Sequence, residues 1–263
     1  MDKASVPIVA VLNRKGGSGK STLATHIAGY LANRGSNVML GDADRQQTSV
    51  SWLRRREAST SAVAPIMTWI MDARNSLSKP AGVSHIVLDT PAAMQGLELQ
   101  RVLNYADAIL VPLSDSLFDM EAAAASISEI RTHPRVVTGA VRLGVVGMRV
   151  DARTRGAQTI QAWAQAMSVT LVATLRVTQS YVRCAEKGLT LFDLQADRTQ
   201  TDLAQWAPLL EWLKPVIDRP PVPSAPDLRS TDASRQPENG TQTRALSGDG
   251  SSYRPAATST MRR

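Results

Sequence analysis

Short stretches dense in β-branched and aliphatic residues recur along the chain, at positions 6–12, 37–40, 85–88, 108–111, 144–148 and 170–175. Each is nearly continuous in its apolar character rather than alternating, which is the pattern of a parallel strand covered on both faces. Longer segments lie between them, at 21–33, 46–56, 96–105, 117–132, 155–167 and 179–187, with the apolar spacing of helices. A last helical segment, 201–216, carries Leu203, Trp206, Leu209, Leu210 and Leu213 on one stripe. Its polar side offers Asp202, Glu211 and Lys214 rather than a row of lysines, so it is expected to pack on a sheet and not to lie on a membrane. Strand and helix in alternation predict an α/β fold with one doubly wound, mostly parallel sheet.

The pattern stops near Asp218. From 219 to 263 the chain is rich in Pro, Ser and Thr, with three Gly and one Asn, and its only large apolar residues are Val222, Leu228, Leu246, Tyr253 and Met261. Such a segment buries too little surface to offset the entropy of ordering it, so residues 1–218 are expected to form the domain and 219–263 a polar, disordered tail. The tail's seven arginines against four acids contribute part of the +7 net charge, which suits a polyanionic partner. The single cysteine, Cys184, excludes an internal disulfide and a thiolate metal cluster within one chain. The Met1 end does not read as a secretory signal, and no apolar run approaches the ~20 residues that cross a bilayer. A cytoplasmic protein is expected.

The most informative chemistry stands between the first strand and the first helix, in the stretch NRKGGSGKST of residues 13–22. Gly16, Gly17 and Gly19 let the backbone turn its N–H groups inward around phosphate oxygens, with Ser18 on the same loop, and the following helix adds positive potential. Lys20 would hold the β- and γ-phosphates, Ser21 would ligate Mg2+, and Thr22 would reach the inner phosphate. The usual G-x-x-x-x-G-K-[ST] pattern would need glycine at 14, where this chain has Arg14 followed by an additional lysine, Lys15.

That departure resembles the deviant Walker A group of P-loop ATPases and, within it, the ParA/MinD family, whose loop reads x-K-G-G-x-G-K-[ST]. The stretch Asp42, Ala43, Asp44, Arg45, Gln46 is similar to the family's D-x-D-P-Q segment, with Arg45 where proline is common. Residues 86–92, IVLDTPA, are similar to its Walker B and switch segment. A carboxylate at the end of an apolar strand is costly to desolvate unless it meets a cation, so Asp89 is expected near Mg2+ through water, and Asp44 is expected to position the attacking water. The resemblance further implies that Lys15 reaches the nucleotide of a partner subunit, so that two chains sandwich two ATP molecules and slow hydrolysis is coupled to dimerisation.

Within the group, one cysteine is too few for the members that bridge iron–sulfur clusters, and a single tail tyrosine, Tyr253, does not suit the tyrosine kinases. The chain begins almost directly with its first strand, so no N-terminal helix-turn-helix is expected. What remains is similar to the ParA branch. It implies an ATP-dependent homodimer that binds double-stranded DNA non-specifically and positions or partitions a cargo over the nucleoid. It also implies an adaptor protein with a basic segment that stimulates hydrolysis. Candidate DNA contacts are Arg176, Arg183 and Lys187 in LRVTQSYVRCAEKG, which resembles a family segment, and Arg198; Arg54, Arg55 and Arg56 form a second cluster. The short form and the basic run at 149–155 resemble members that carry protein assemblies, such as carboxysomes or chemoreceptor clusters, while plasmids and chromosomes remain open. Two other readings stay in play: a membrane-surface organiser of the MinD kind, and a small-molecule ligase of the dethiobiotin-synthetase type.

Overall fold

The continuous apolar runs become the strands of a single sheet in the computed structural model, which describes residues 6–44, 46–60, 63–70, 82–151, 153–195 and 199–219. All of these fall in one unit of the chain, Met1–Pro223. The strands are β1 (Ile8–Val11), β2 (Val38–Asp42), β3 (Met67–Ile70), β4 (His85–Asp89), β5 (Ala108–Leu113), β6 (Arg142–Val150) and β7 (Thr170–Arg176). They pair in the order β3-β2-β4-β1-β5-β6-β7, and every pairing is parallel. β1, β2 and β5 are buried at every position, as strands covered on both faces must be.

The helices are α1 (Lys20–Asn33), α2 (Thr48–Glu57), α3 (Gly96–Tyr105), α4 (Leu117–Arg131), α5 (Pro134–Val137), α6 (Gly156–Ala166), α7 (Gln179–Glu186) and α8 (Gln200–Ile217). On one face of the sheet α1, α2, α7 and α8 pack a core that includes Leu23, Ile27, Trp52, Cys184, Trp206, Leu209 and Leu213. On the other, α3, α4 and α6 contribute Leu99, Val102, Ala123, Ile127 and Ile160. The fold is thus the doubly wound α/β arrangement that the sequence pattern predicts. In such a sheet the ligand crevice lies outside the carboxyl ends of the strands.

Three elements escape the pattern. β3 has four residues, pairs only with β2 at the sheet edge and leaves Met67 40% exposed, so its apolar run is too short to stand out. α5 is a single turn started by Pro134, and Leu191–Asp193 forms a 3-10 turn closed by a capping box from Thr190. β2 and β4 each run on to an aspartate that an apolar pattern ends before. In α8, Trp206, Leu209 and Leu213 are buried as expected. Asp202, however, does not lie on a polar face: it is 2% exposed and pairs with Arg176. Among the described residues, no helix is long and apolar enough to cross a membrane. The tail expected from 219 lies, apart from Arg219, outside the described residues, as do Arg45 and Arg198.

Candidate functional site

The loop from Asn13 to Gly19 joins the buried end of β1 to α1 and is held from within. Asn13 Nδ2 donates to the Pro112 carbonyl at 2.7 Å and its Oδ1 accepts from the Lys15 N–H at 3.0 Å, so one side chain ties the loop to β5. Gly17 (φ 70°) and Gly19 (φ 102°) take left-handed conformations that side chains resist, and Gly19 caps α1. A Cβ on Gly16 or Gly17 would meet nothing within 4 Å, so open space faces the loop. Lys20 Nζ spans this loop and donates to the Lys15 carbonyl at 3.0 Å. Burial lowers its pKa from the ordinary lysine value, with Asp89 and Asp44 opposing the shift. A buried ammonium of this kind gains from an incoming anion.

Two carboxylates lie side by side at neighbouring strand ends, Asp42 on β2 in register with Asp89 on β4, and of the two it is Asp89 that acts on the Lys20 charge. Both are 1% exposed. Asp42 accepts from the N–H groups of Asp44 at 2.9 Å, Ser49 at 2.9 Å and Val50 at 3.1 Å, and so caps α2 from a distance. Its pKa is raised, chiefly by burial. Asp89 Oδ2 accepts from the Ser49 hydroxyl at 2.6 Å, whereas Oδ1 is buried with no protein partner. Burial pushes the Asp89 carboxyl up to about 6, against the lowering by the Ser49 and Ser21 hydroxyls and by Lys20.

Lys15 makes an ion pair with Asp119 of its own chain, at the start of α4. Asp119 is 2% exposed; burial works against its charge, but Lys15 and the Ser114 hydroxyl and N–H outweigh it and hold its pKa below the usual range. The neighbouring Arg14 pairs with Glu129, which also accepts from the Gly96 N–H at 3.0 Å, and this draws α3 and α4 against the loop.

A cleft of about 930 Å³ opens from this cradle. Gly16, Gly17, Gly19, Lys20, Ser21 and Thr22 line its end at the β1–α1 loop together with Asp44. Met148, Arg149, Leu175, Arg176, Thr178 and Tyr181 line the opposite walls. Of the expected loop residues, Gly16, Gly17, Gly19, Lys20, Ser21 and Thr22 come together with Asp44 around one cavity, whereas Ser18 is buried away from it, Lys15 turns to Asp119, and Asp89 is buried.

The basic residues divide. The Arg176 guanidinium lies on the cleft wall and donates to Asp202 at 2.5 Å. Arg183 and Lys187 are exposed on and just after α7 and make no ion pair among the described residues. Arg54 and Arg55 are exposed on α2, and Arg55 Nε donates to the Ala185 carbonyl at 2.9 Å, which brings the two basic segments side by side. Arg56 is buried instead, against Asp193 at 2.8 Å. Sequence reasoning missed Ser49, Asp119 and Glu129, because each acquires its meaning from a partner 40 or more residues away and no local motif marks them.

The family described as the CobQ/CobB/MinD/ParA nucleotide binding domain matches residues 9–192. Among relatives, the maintenance of carboxysome distribution protein A of Gloeobacter kilaueensis is 29% identical over 210 residues, 78% of this chain and 93% of that protein. The chromosome-partitioning ATPase Soj of Thermus thermophilus is 28% identical over 62% of this chain and 77% of its own length. Among solved structures, a Cyanothece McdA–ATP complex covers 84% of this chain and 100% of its own at a TM-score of 0.59 and 16% identity. The MinC:MinD cell division complex of Aquifex aeolicus covers 85% of this chain and 98% of its own at a TM-score of 0.60 and 15% identity, and both likenesses establish the shared fold.

Proposed function

The chain belongs to the CobQ/CobB/MinD/ParA nucleotide-binding domain family, and from that premise we propose that it is a Mg2+-dependent ATPase that dimerises with ATP, binds double-stranded DNA without sequence preference and positions or partitions a cargo over the nucleoid. The observation that carries this reading is the cradle itself: a buried Lys20 folded back on its own loop, with open space over Gly16 and Gly17 and an unpartnered Asp89 Oδ1 behind it. The triphosphate would lie along the loop amides of Gly16, Gly17, Ser18 and Gly19, with Lys20 turned from the Lys15 carbonyl onto the β- and γ-phosphates. Thr22 would meet the inner phosphate.

The donors around Asp89 fit a hard, hydrated cation. A buried carboxylate oxygen without a hydrogen-bond donor is expensive, and a metal-bound water supplies the missing partner. Ser21 and Asp89 would therefore hold Mg2+, which when bound neutralises charge on the transferring phosphoryl group. Asp44, on the cleft wall, would orient the attacking water. Lys15, now paired with Asp119, would exchange that partner for the phosphates of a second subunit, which supports a coupling of dimerisation to nucleotide state.

The exposed Arg54, Arg55, Arg183 and Lys187 would supply phosphate contacts on DNA. Residues 219–263 would be a polar tail outside the ATPase domain. The cargo reading leans towards a protein assembly, because the carboxysome distribution protein covers more of this chain than the partitioning ATPase does. An adaptor with a basic segment would stimulate the slow hydrolysis, and the protein would work in the cytoplasm on the nucleoid.

Retention of a generic duplex tests the proposal. Wild-type protein should bind it with ATP, lose it as salt rises from 50 to about 200 mM, and fail to bind with ADP. Lys20→Ala should abolish the ATP-dependent part by weakening nucleotide binding about 100-fold, the loss of roughly 3 kcal/mol of charge-assisted bonding. Equal retention with ATP, ADP and no nucleotide would overturn the switch.

A further inference from the structure

Ser49 belongs to no motif of the loop or of the strand ends, yet it is fully buried between the two carboxylates that flank the phosphate cradle. Its backbone N–H donates to Asp42 Oδ2 at 2.9 Å and its hydroxyl to Asp89 Oδ2 at 2.6 Å. Asp42 and Asp89 are neighbours in register on adjacent strands, so two like charges would face each other across about one strand spacing without a donor between them. Ser49 places a dipole there, on the first turn of α2.

The arrangement leaves Asp89 with one assigned oxygen and Asp42 with both assigned. Asp89 Oδ2 is taken by Ser49, and only Oδ1, buried and without a protein partner, remains for another ligand. Asp42 Oδ2 is taken by the Ser49 and Val50 amides, and its Oδ1 accepts from the Asp44 N–H at 2.9 Å. Asp44 in turn accepts from the Gln46 N–H at 3.0 Å through its Oδ1. A chain of short contacts thus runs from Asp89 through Ser49 and Asp42 to Asp44.

We infer that Ser49 is a positioning residue: its hydroxyl fixes the carboxylate plane of Asp89 so that Oδ1 faces the cation site, and its amide fixes Asp44 through Asp42 relative to that same site. The inference rests on the nucleotide and metal reading above. It assigns Ser49 no contact with substrate. Without the hydroxyl, Asp89 Oδ2 would be a second unpartnered buried oxygen and the carboxylate could rotate to share its remaining neighbours. Partners that orient a metal-side carboxylate typically change metal affinity by about 10- to 100-fold when removed.

The test is the Mg2+ dependence of binding of a fluorescent ATP analogue, measured for the wild type, Ser49→Ala and Ser49→Thr, with each also titrated in EDTA. Ser49→Ala should raise the Mg2+ concentration for half-maximal binding about tenfold and leave the EDTA titration within about twofold. Ser49→Thr, which keeps the donor, should restore most of the Mg2+ response. Hydrogen exchange of the α2 amides should show Mg2+-dependent protection in the wild type and lose it in Ser49→Ala. Should alanine unfold the protein, Ser49→Cys, similar in size with a much weaker donor, takes its place. A wild-type Mg2+ response in Ser49→Ala, equal losses with and without metal, or a threonine variant as impaired as alanine would each overturn the role. A wild type without any Mg2+ response would instead remove the metal reading on which it rests, and the inference with it.

Discussion

The end of the cleft at the β1–α1 loop and its α7 end are assembled from different kinds of contact. At the loop end the candidate groups sit on strand ends and the loop between β1 and α1, where the sheet register itself sets Asp42 beside Asp89. At the α7 end a short helix is strapped to α2 by side chains that reach far along the sequence. Trp52 Nε1 donates to the Leu189 carbonyl at 3.2 Å, Arg55 Nε to the Ala185 carbonyl at 2.9 Å, and Arg56 Nη1 to the Gly188 carbonyl at 3.1 Å. Gly188 lies so close to α2 that a Cβ there would come within 2.1 Å of the Arg56 backbone nitrogen. The first end is fixed by the topology of the sheet and the second by a few buried pairs, so the second is the end that single substitutions can loosen.

The largest effect is expected from that strap. Arg56 and Asp193 are almost wholly buried and meet through two bonds, at 2.8 and 2.9 Å. Removing one partner leaves an uncompensated buried charge, which costs about 3–5 kcal/mol. Arg56→Ala should therefore lower the free energy of unfolding in urea by that amount. A change below about 1 kcal/mol would show that this end is held without the Arg56–Asp193 pair, by its apolar contacts and the Trp52 and Arg55 bonds.

Acid should loosen the same end in two separable steps. His26 on α1 is stacked on Trp206 at 5.3 Å and meets Tyr181 and Phe192 edge to face, so it touches the wall of the cleft from behind. Its Nδ1 lies 2.9 Å from the Thr22 carbonyl and must carry the proton, which leaves Nε2 buried without a partner. Burial lowers its pKa to about 4, against the raising effect of the Thr22 carbonyl and Asp193. The unfolded chain then takes up a proton near pH 6.5 while the folded one does not, so stability falls as pH drops from about 6.5 to about 4, by up to roughly 3 kcal/mol. Asp193 acts lower. Burial opposes its charge, but Arg56, Asn33 and Thr190 hold it down at about 2, so its contribution is present above about pH 4 and is lost between there and about 2. Urea unfolding of His26→Phe should lose this fall across the upper window, leaving there the opposing rise on acidification that the raised Asp89 carboxyl gives, and should keep the slope in the lower one.

These two regions were unequally legible in the sequence. The glycines at 16, 17 and 19, Lys20, Ser21 and the aspartates at 44 and 89 stand out as candidates because the loop end of the cleft is built from contiguous stretches at strand ends. The alternation of apolar runs and helical segments likewise foretold the doubly wound sheet. The α7 end gave a correct helix and no warning of its ties, since Arg56 pairs 137 residues away and Trp52 reaches the same distance. Arg54, Arg55 and Arg56 look alike as a cluster, yet the helix turns two of them to solvent and one into the core. β3 was hidden for a further reason: an edge strand of four residues needs little apolar surface.

The smallest expected effect concerns the face that α7 presents. Arg183 and Lys187 are exposed and free of ion pairs among the described residues, while Arg176 is engaged by the buried Asp202. If DNA phosphates are met at this end, Arg183→Ala and Lys187→Ala should each weaken retention of a duplex by only a few-fold and reduce the slope of log affinity against log salt by about one. Arg176→Ala should behave differently, because it strands a buried carboxylate without removing an available cation: it should lower the melting temperature and leave the salt slope unchanged. A salt slope that responds to Arg176 and not to Arg183 or Lys187 would mean that Arg176 leaves Asp202 when DNA binds. The contact surface would then lie over the mouth of the cleft, not on the outer side of α7.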